Sequence, residues 1–182
     1  SIPHVIELDR KDLEDTEIKF IEKSFLLTLQ ELIQTRRREG LELKQEIQRY
    51  LLDISKALDR IEKIARVQPV LFKDKMLARL QELGKDFALS EEKVVEEAAY
   101  LAQKYDLTEE ITRLKCHLEY SREILSSRTK EPAGKKLDFL AQELYREINT
   151  INSKSQDINV IKEGLIIKNC IEIIRQQVQN IE

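Results

Sequence analysis

The sequence predicts an all-α protein built from long amphipathic helices. Three observations carry that reading. Turn formers are scarce, with Gly 4 and Pro 3 in 182 residues, which disfavours the many-turned sandwiches and barrels. Apolar residues recur at helical 3,4 spacing along most of the chain. Charged residues, 36 % of the total, fill the positions between them.

Residues Ser1 to Glu14 read as an N-terminal arm or linker, with Pro3 near its start and the uninformative His4 beside it. From Asp15 the helical period takes over: Ile18, Ile21, Phe25, Thr28 and Leu32 share one face. After Gly40 follow Leu43, Ile47, Leu51, Ile54, Leu58, Ile61 and Ala65, a heptad-like seam. One glycine costs about 1 kcal/mol inside a helix, so Gly40 need not break it. The spacing predicts one long helix over Asp15 to Val67, or two kinked at Gly40, spanning roughly 80 Å. No compact domain covers such a rod all round, which predicts an antiparallel hairpin over 15–90, an oligomer, or both. Pro69 is expected to stop the helix. A shorter one then runs from Val70 to Leu83, ending at Gly84.

The remainder, 91–182, is expected to be a C-terminal helical domain. Its first helix covers Glu91 to Lys104. Asp106 is placed to cap a helix over Leu107 to Ser127, with Glu109 at the reciprocal capping-box position. Thr129 to Ala133 reads as a loop. The next helix has the core face Leu137, Leu140, Leu144, Ile148 and Ile151, and Ser153 to Gln156 reads as a turn. The last helix carries the cleanest heptad: Val160, Gly164, Ile167, Ile171, Ile174, Val178 and Ile181.

Composition also excludes. With aromatics at 5 % and no Trp, a base-stacking platform for single strands is disfavoured. A net charge of −3 means that phosphate contacts would need a local basic patch, such as Arg36, Arg37, Arg38 and Lys44. Cys116 and Cys170 are too few for a disulfide framework and read as reduced core residues of a cytoplasmic protein. No apolar run approaches the ~20 residues that span a bilayer. There is no P-loop, dinucleotide fingerprint, HExxH, paired CxxC or nucleophile elbow.

Three polar stripes remain. Glu110, Arg113, His117 and Tyr120 share a face of one helix. Glu143, Glu147, Thr150 and Lys154 line the next, with Gln142, Arg146 and Asn149 beside them. Lys168, Glu172, Arg175, Gln179 and Glu182 line the last. Carboxylates one turn apart can hold a hard divalent cation, and an added histidine favours a transition metal such as manganese. Arg and Lys beside them suit phosphate. The competing reading is a set of solvated faces laced by intrahelical ion pairs.

Four blocks carry a resemblance to a known family: Leu101 to His117, Gly134 to Glu143, Arg146 to Ser155, and Ile174 to Glu182. In this order they resemble the YicC-like endoribonucleases. The match is strong over Glu97 to Glu182 and weak upstream, where it rests on Arg36 and the Glu39-Gly40 pair. The resemblance implies a metal-dependent endoribonuclease that assembles into hexamers, with a β-containing N-terminal domain ahead of the helices. The chain, which starts at Ser1, is then expected to be the helical C-terminal portion of a longer enzyme.

What the resemblance implies for residues follows the stripes. His117, Glu143, Glu147 and Glu172 are the expected catalytic residues. Glu109, Glu110, Asp138, Glu143 and Glu147 are the expected ligands of a divalent cation, manganese or magnesium. Arg113, Arg146, Asn149, Lys154, Lys168 and Arg175 are expected to hold RNA. Should cleavage run through the 2′-OH, His117 and Lys154 are the candidates. Four positions depart from the family pattern: Arg37, Tyr145, Ile166 and Gln176, three of them losing a carboxylate. The alternatives are a non-catalytic helical oligomerisation scaffold or RNA-binding module, and a coiled-coil adaptor. No membrane partner is expected.

Overall fold

A computed structural model describes residues 14–82, 91–127 and 133–179. Among these residues it is all-α. The helices are α1 (Asp15–Glu82), α2 (Glu91–Lys104), α3 (Thr108–Ser126), α4 (Ala133–Lys154) and α5 (Ile158–Val178).

The expected stop at Pro69 is not there. Helix α1 runs unbroken through Gly40 and Pro69 to Glu82. Proline removes one i→i−4 hydrogen bond, a local cost that the helix formers Ala65, Arg66, Gln68 and Leu71 around it offset. The end expected at Leu83 and Gly84 lies outside the described residues, as do the N-terminal arm up to Leu13 and nearly all of the Thr129 to Ala133 loop.

The chain divides into two compact units, Ser1–Glu42 and Leu43–Glu182. In the first, the described part is helical and its apolar stripe is uncovered: Phe20 is 71 % and Phe25 67 % exposed, and Ile18, Ile21 and Leu32 are exposed too. The second unit is a bundle of α1 from Leu43 onward with α3, α4 and α5. Its core follows the expected seams. Ile47, Leu51, Ile54, Leu58 and Ile61 of α1 are buried. So are Leu137, Leu140, Leu144, Ile148 and Ile151 of α4, and Val160, Ile167, Ile171, Ile174 and Val178 of α5. Helix α3 adds Ile111, Leu114, Leu118 and Leu125.

Cross-helix contacts fix the directions. Lys115 pairs with Glu62 at 2.9 Å, and Arg122 donates to the carbonyl of Leu51 at 3.5 Å, so α3 runs antiparallel to α1. Arg175 pairs with Asp138 while Lys168 lies over the ring of Tyr145, so α5 runs antiparallel to α4. Arg60 of α1 grips Glu163 of α5 through two hydrogen bonds of 2.8 and 2.7 Å.

Helix ends follow local chemistry. The N-cap of α3 is Leu107, not Asp106 as expected, and it makes no side-chain cap bond; Asp106, one residue earlier, braces the helix start by accepting from the backbone N–H and the hydroxyl of Thr108 at 2.9 and 2.6 Å. These bonds hold its carboxyl below the usual range. Glu109 turns instead to Arg113. Asp157 accepts from the N–H of Asn159 at 2.7 Å and caps α5. The turn between α4 and α5 falls at Ser155 to Asp157, slightly later than expected. Cys116 is exposed, off the Ile111–Leu114–Leu118 core phase, whereas Cys170 is buried as expected and its thiol is pushed up by that burial.

Candidate metal centre

The α3 and α4 stripes face one another across an antiparallel seam. As α3 is read backwards from His117 to Arg113 to Glu110, the partners on α4 advance from Glu143 and Glu147 to Lys154. Spacing of 3 and 4 keeps these side chains on one face of each helix, and the neighbouring apolar positions press the helices together.

At one end of the seam His117, Glu143 and Glu147 each offer a ligand atom, all within 4.8 Å of one another. Two donors on one cation at about 2.1–2.2 Å are at most ~4.4 Å apart, so small side-chain movements close the set. Nitrogen plus carboxylate oxygens suit manganese, and two carboxylates without thiolate also admit magnesium. Glu147 is 5 % exposed; His117 and Glu143 are half-buried, so the set opens to solvent on one side. The His117 carbonyl accepts from the Ser121 hydroxyl at 2.8 Å, a local bond within the helix.

Arg113 stands beside the cluster. Its Nη1 is 3.5 Å from Glu147 Oε1, and its Nη2 bonds Glu109, one turn back on α3. The buried Glu147 therefore faces a guanidinium as well as the two other ligands, while the Arg113 side chain is 56 % exposed.

The other expected site residues are placed differently. Glu110 is buried and bound to Lys154, whose Nζ is 2.6 Å from Oε1 and 3.3 Å from the carbonyl of Asp106. Its second oxygen, Oε2, is buried without a hydrogen-bond partner. Asp138 takes Arg175 at 3.5 Å and Gln142 at 2.8 Å. Among the described residues, Glu109, Glu110, Asp138 and Glu172 do not join the cluster of His117, Glu143 and Glu147. Glu172 is exposed on α5. Arg146 is exposed and Asn149 half-buried on α4. Lys168 Nζ lies 5.8 Å from the Tyr145 ring centroid. The four departures lie outside the cluster: Arg37, Ile166 and Gln176 are exposed, and Tyr145 supports Lys168.

One feature had no counterpart in the sequence reading. A cleft of about 640 Å³ is lined by Glu62, Arg66, Tyr105, Thr108 and Thr112, among others. Lys115 and Arg66 hold Glu62 at its wall and depress its carboxyl. Its residues come from α1 and from around the α2–α3 junction, and no single-helix periodicity brings such residues together.

The model of the family described as "Endoribonuclease YicC-like, C-terminal" matches residues 61–182, which include the whole α3–α4 seam. A "Probable endoribonuclease YicC" from Clostridioides difficile is 32 % identical over 183 residues, 99 % of this chain and 61 % of that protein. A protein of the same description from Haemophilus influenzae is 32 % identical over 180 residues, again 99 % of this chain and 61 % of the relative. The chain thus spans about three-fifths of the length of the curated relatives it matches. Taken with the all-α bundle they fall on, these matches place the chain in the YicC-like family, through the C-terminal domain by which that family is described.

Proposed function

We propose that the chain is the helical part of a metal-dependent endoribonuclease whose centre is His117, Glu143 and Glu147. The observation that carries this reading is the convergence of those three donors from two helices, with a guanidinium beside them. The names of the relatives, probable endoribonucleases, supply the substrate class, RNA.

Glu143 and Glu147, one turn apart on α4, would hold the cation, and burial of Glu147 keeps that carboxylate in place. A bound manganese or magnesium ion supplies Lewis-acid stabilisation of phosphate charge and a more acidic water. His117 completes the ligand set or transfers a proton to the leaving oxygen. Arg113 orients the scissile phosphate through its planar fork of donors. Arg146, Asn149 and Lys168 contact the RNA backbone farther along. Glu110 and Lys154 hold the α3–α4 seam, and Asp138 and Arg175 tie α4 to α5, rather than binding the cation. The enzyme works in the reducing cytoplasm, where the exposed thiol of Cys116 stays free. It assembles as a homo-oligomer, a hexamer for the longer protein, which supplies cover for the exposed stripe of Ile18, Phe20, Ile21 and Phe25.

The test is cleavage of a structured RNA by this chain and by the longer protein, each with manganese and with EDTA. Metal-dependent cleavage by either, lost in His117→Ala, supports the reading. Cleavage that EDTA leaves unchanged refutes the metal centre and directs attention to the 2′-OH route.

The second reading, a non-catalytic scaffold, is favoured by the same exposed stripe on α1. It predicts that Glu143→Ala disturbs assembly rather than chemistry.

A further inference from the structure

Arg113 and the candidate cation draw on the same carboxylate. Glu147 is both a member of the three-donor cluster and the partner of Arg113 Nη1 at 3.5 Å. A divalent ion on Glu147 would stand within a few ångströms of the guanidinium, where like charges repel strongly because the carboxylate between them is buried. Arg113 has a second anchor: Nη2 bonds Glu109 at the exposed edge of α3. It can therefore give up Glu147 and stay at the rim of the site, since its side chain is already 56 % exposed.

We propose that Arg113 couples the two ligands of the site: it competes with the divalent cation for Glu147, and a phosphodiester that engages Arg113 removes the competition. Metal and RNA then tighten each other's binding, because any coupling between two ligands is reciprocal. The consequence is selectivity, as the centre holds its cation most firmly when a phosphate is in position. This rests on the metal-centre reading above.

The test is manganese affinity, measured by calorimetry or electron paramagnetic resonance. It compares the wild-type chain with Arg113→Ala, Arg113→Lys and Glu147→Gln, each alone and with a 2′-O-methyl phosphorothioate RNA, whose blocked 2′-OH and sulfur-substituted phosphates slow both routes of cleavage. Circular dichroism and urea unfolding confirm that each variant is folded, because Arg113→Ala also takes away the ion partner of the buried Glu147. Arg113→Ala is expected to bind manganese on the order of tenfold tighter than wild type without RNA. The tightening that RNA produces in wild type is expected to shrink at least several-fold in that variant. Arg113→Lys, which keeps the charge without the fork, is expected to fall between. Equal or weaker manganese binding by Arg113→Ala, with Glu147→Gln impaired, overturns the coupling and leaves the metal centre standing. Wild type that binds manganese no better than Glu147→Gln overturns the metal centre and the coupling with it.

Discussion

Lys154 on α4 reaches Glu110 on α3 with its Nζ 2.6 Å from Oε1, and this pair closes the end of the seam away from His117. Glu110 is 6 % exposed and its other oxygen is buried without a partner, so its charge depends on that one ammonium. Removing one partner of a buried pair leaves an uncompensated charge. Lys154→Met is therefore expected to destabilise the chain by about 2 kcal/mol, less than the ~3–5 kcal/mol of a fully enclosed pair because Lys154 is partly solvated. Glu110→Gln, which keeps the shape, is expected to cost less. Urea unfolding of both variants measures this. A Lys154→Met chain as stable as wild type but weak on RNA would return Lys154 to the role first expected of it.

Gly164 of α5 sits against Asn152 of α4. A Cβ built on Gly164 would lie 2.0 Å from Asn152 Oδ1 and 2.7 Å from both other amide atoms. The amide of the half-buried Asn152, whose Oδ1 is buried, would have to swing aside. Gly164→Ala is expected to cost about 1–3 kcal/mol by overpacking, despite alanine's better helix propensity. A double-mutant cycle with Asn152→Ala checks the cause, since the truncated neighbour should recover most of the loss.

Asp106 gives a pH dependence. Its bonds from Thr108 lower its pKa in the folded chain, so the unfolded chain binds the proton more tightly. This brace on the start of α3 is then fully effective above the ordinary aspartate pKa of about 3.9 and is lost as pH falls through the lower folded value. The stability difference between wild type and Asp106→Ala is expected to be about 1 kcal/mol at neutral pH. It should stay level down to about pH 5 and shrink below about pH 4. Urea midpoints at several pH values measure it; a difference that grows on acidification would contradict the bracing role.

The bundle was legible in the sequence because burial has a period. The Ile47 to Ile61 seam, the Leu137 to Ile151 face and the Val160 to Val178 heptad are buried as their spacing required. Pro69 misled because a missing N–H is a local cost that flanking helix formers can outweigh. The site was half legible. Periodicity put Glu110, Arg113 and His117 on one face and Glu143, Glu147 and Lys154 on another. It could not give the offset between the helices, and that offset decides which carboxylates meet His117 and which meet Lys154 or Arg175. Glu172 sits on a stripe as regular as the others yet stays outside the cluster, because which stripe a helix turns to its neighbours is settled by packing.

His117, Glu143 and Glu147 stand or fall together. Changing Glu143 to Gln or His117 to Ala is expected to lower manganese-dependent RNA cleavage by at least about 10²-fold, the scale of removing one group that acts on developing charge or transfers a proton. Glu172→Ala and Asp138→Asn are expected to change it by less than about threefold, since neither side chain joins the three donors. Rates measured at saturating manganese separate the two groups.

The most direct measurement is RNA cleavage by Glu147→Gln in the longer protein, alongside its mass in solution and its melting temperature. Glutamine keeps the size of the buried side chain and removes the charge that a cation needs. Cleavage lost while mass and melting stay close to wild type is the expected result, and it assigns the carboxylate to chemistry. Cleavage retained at the wild-type rate, or lost only together with the assembly, would contradict the metal centre and leave α3 and α4 as a scaffold.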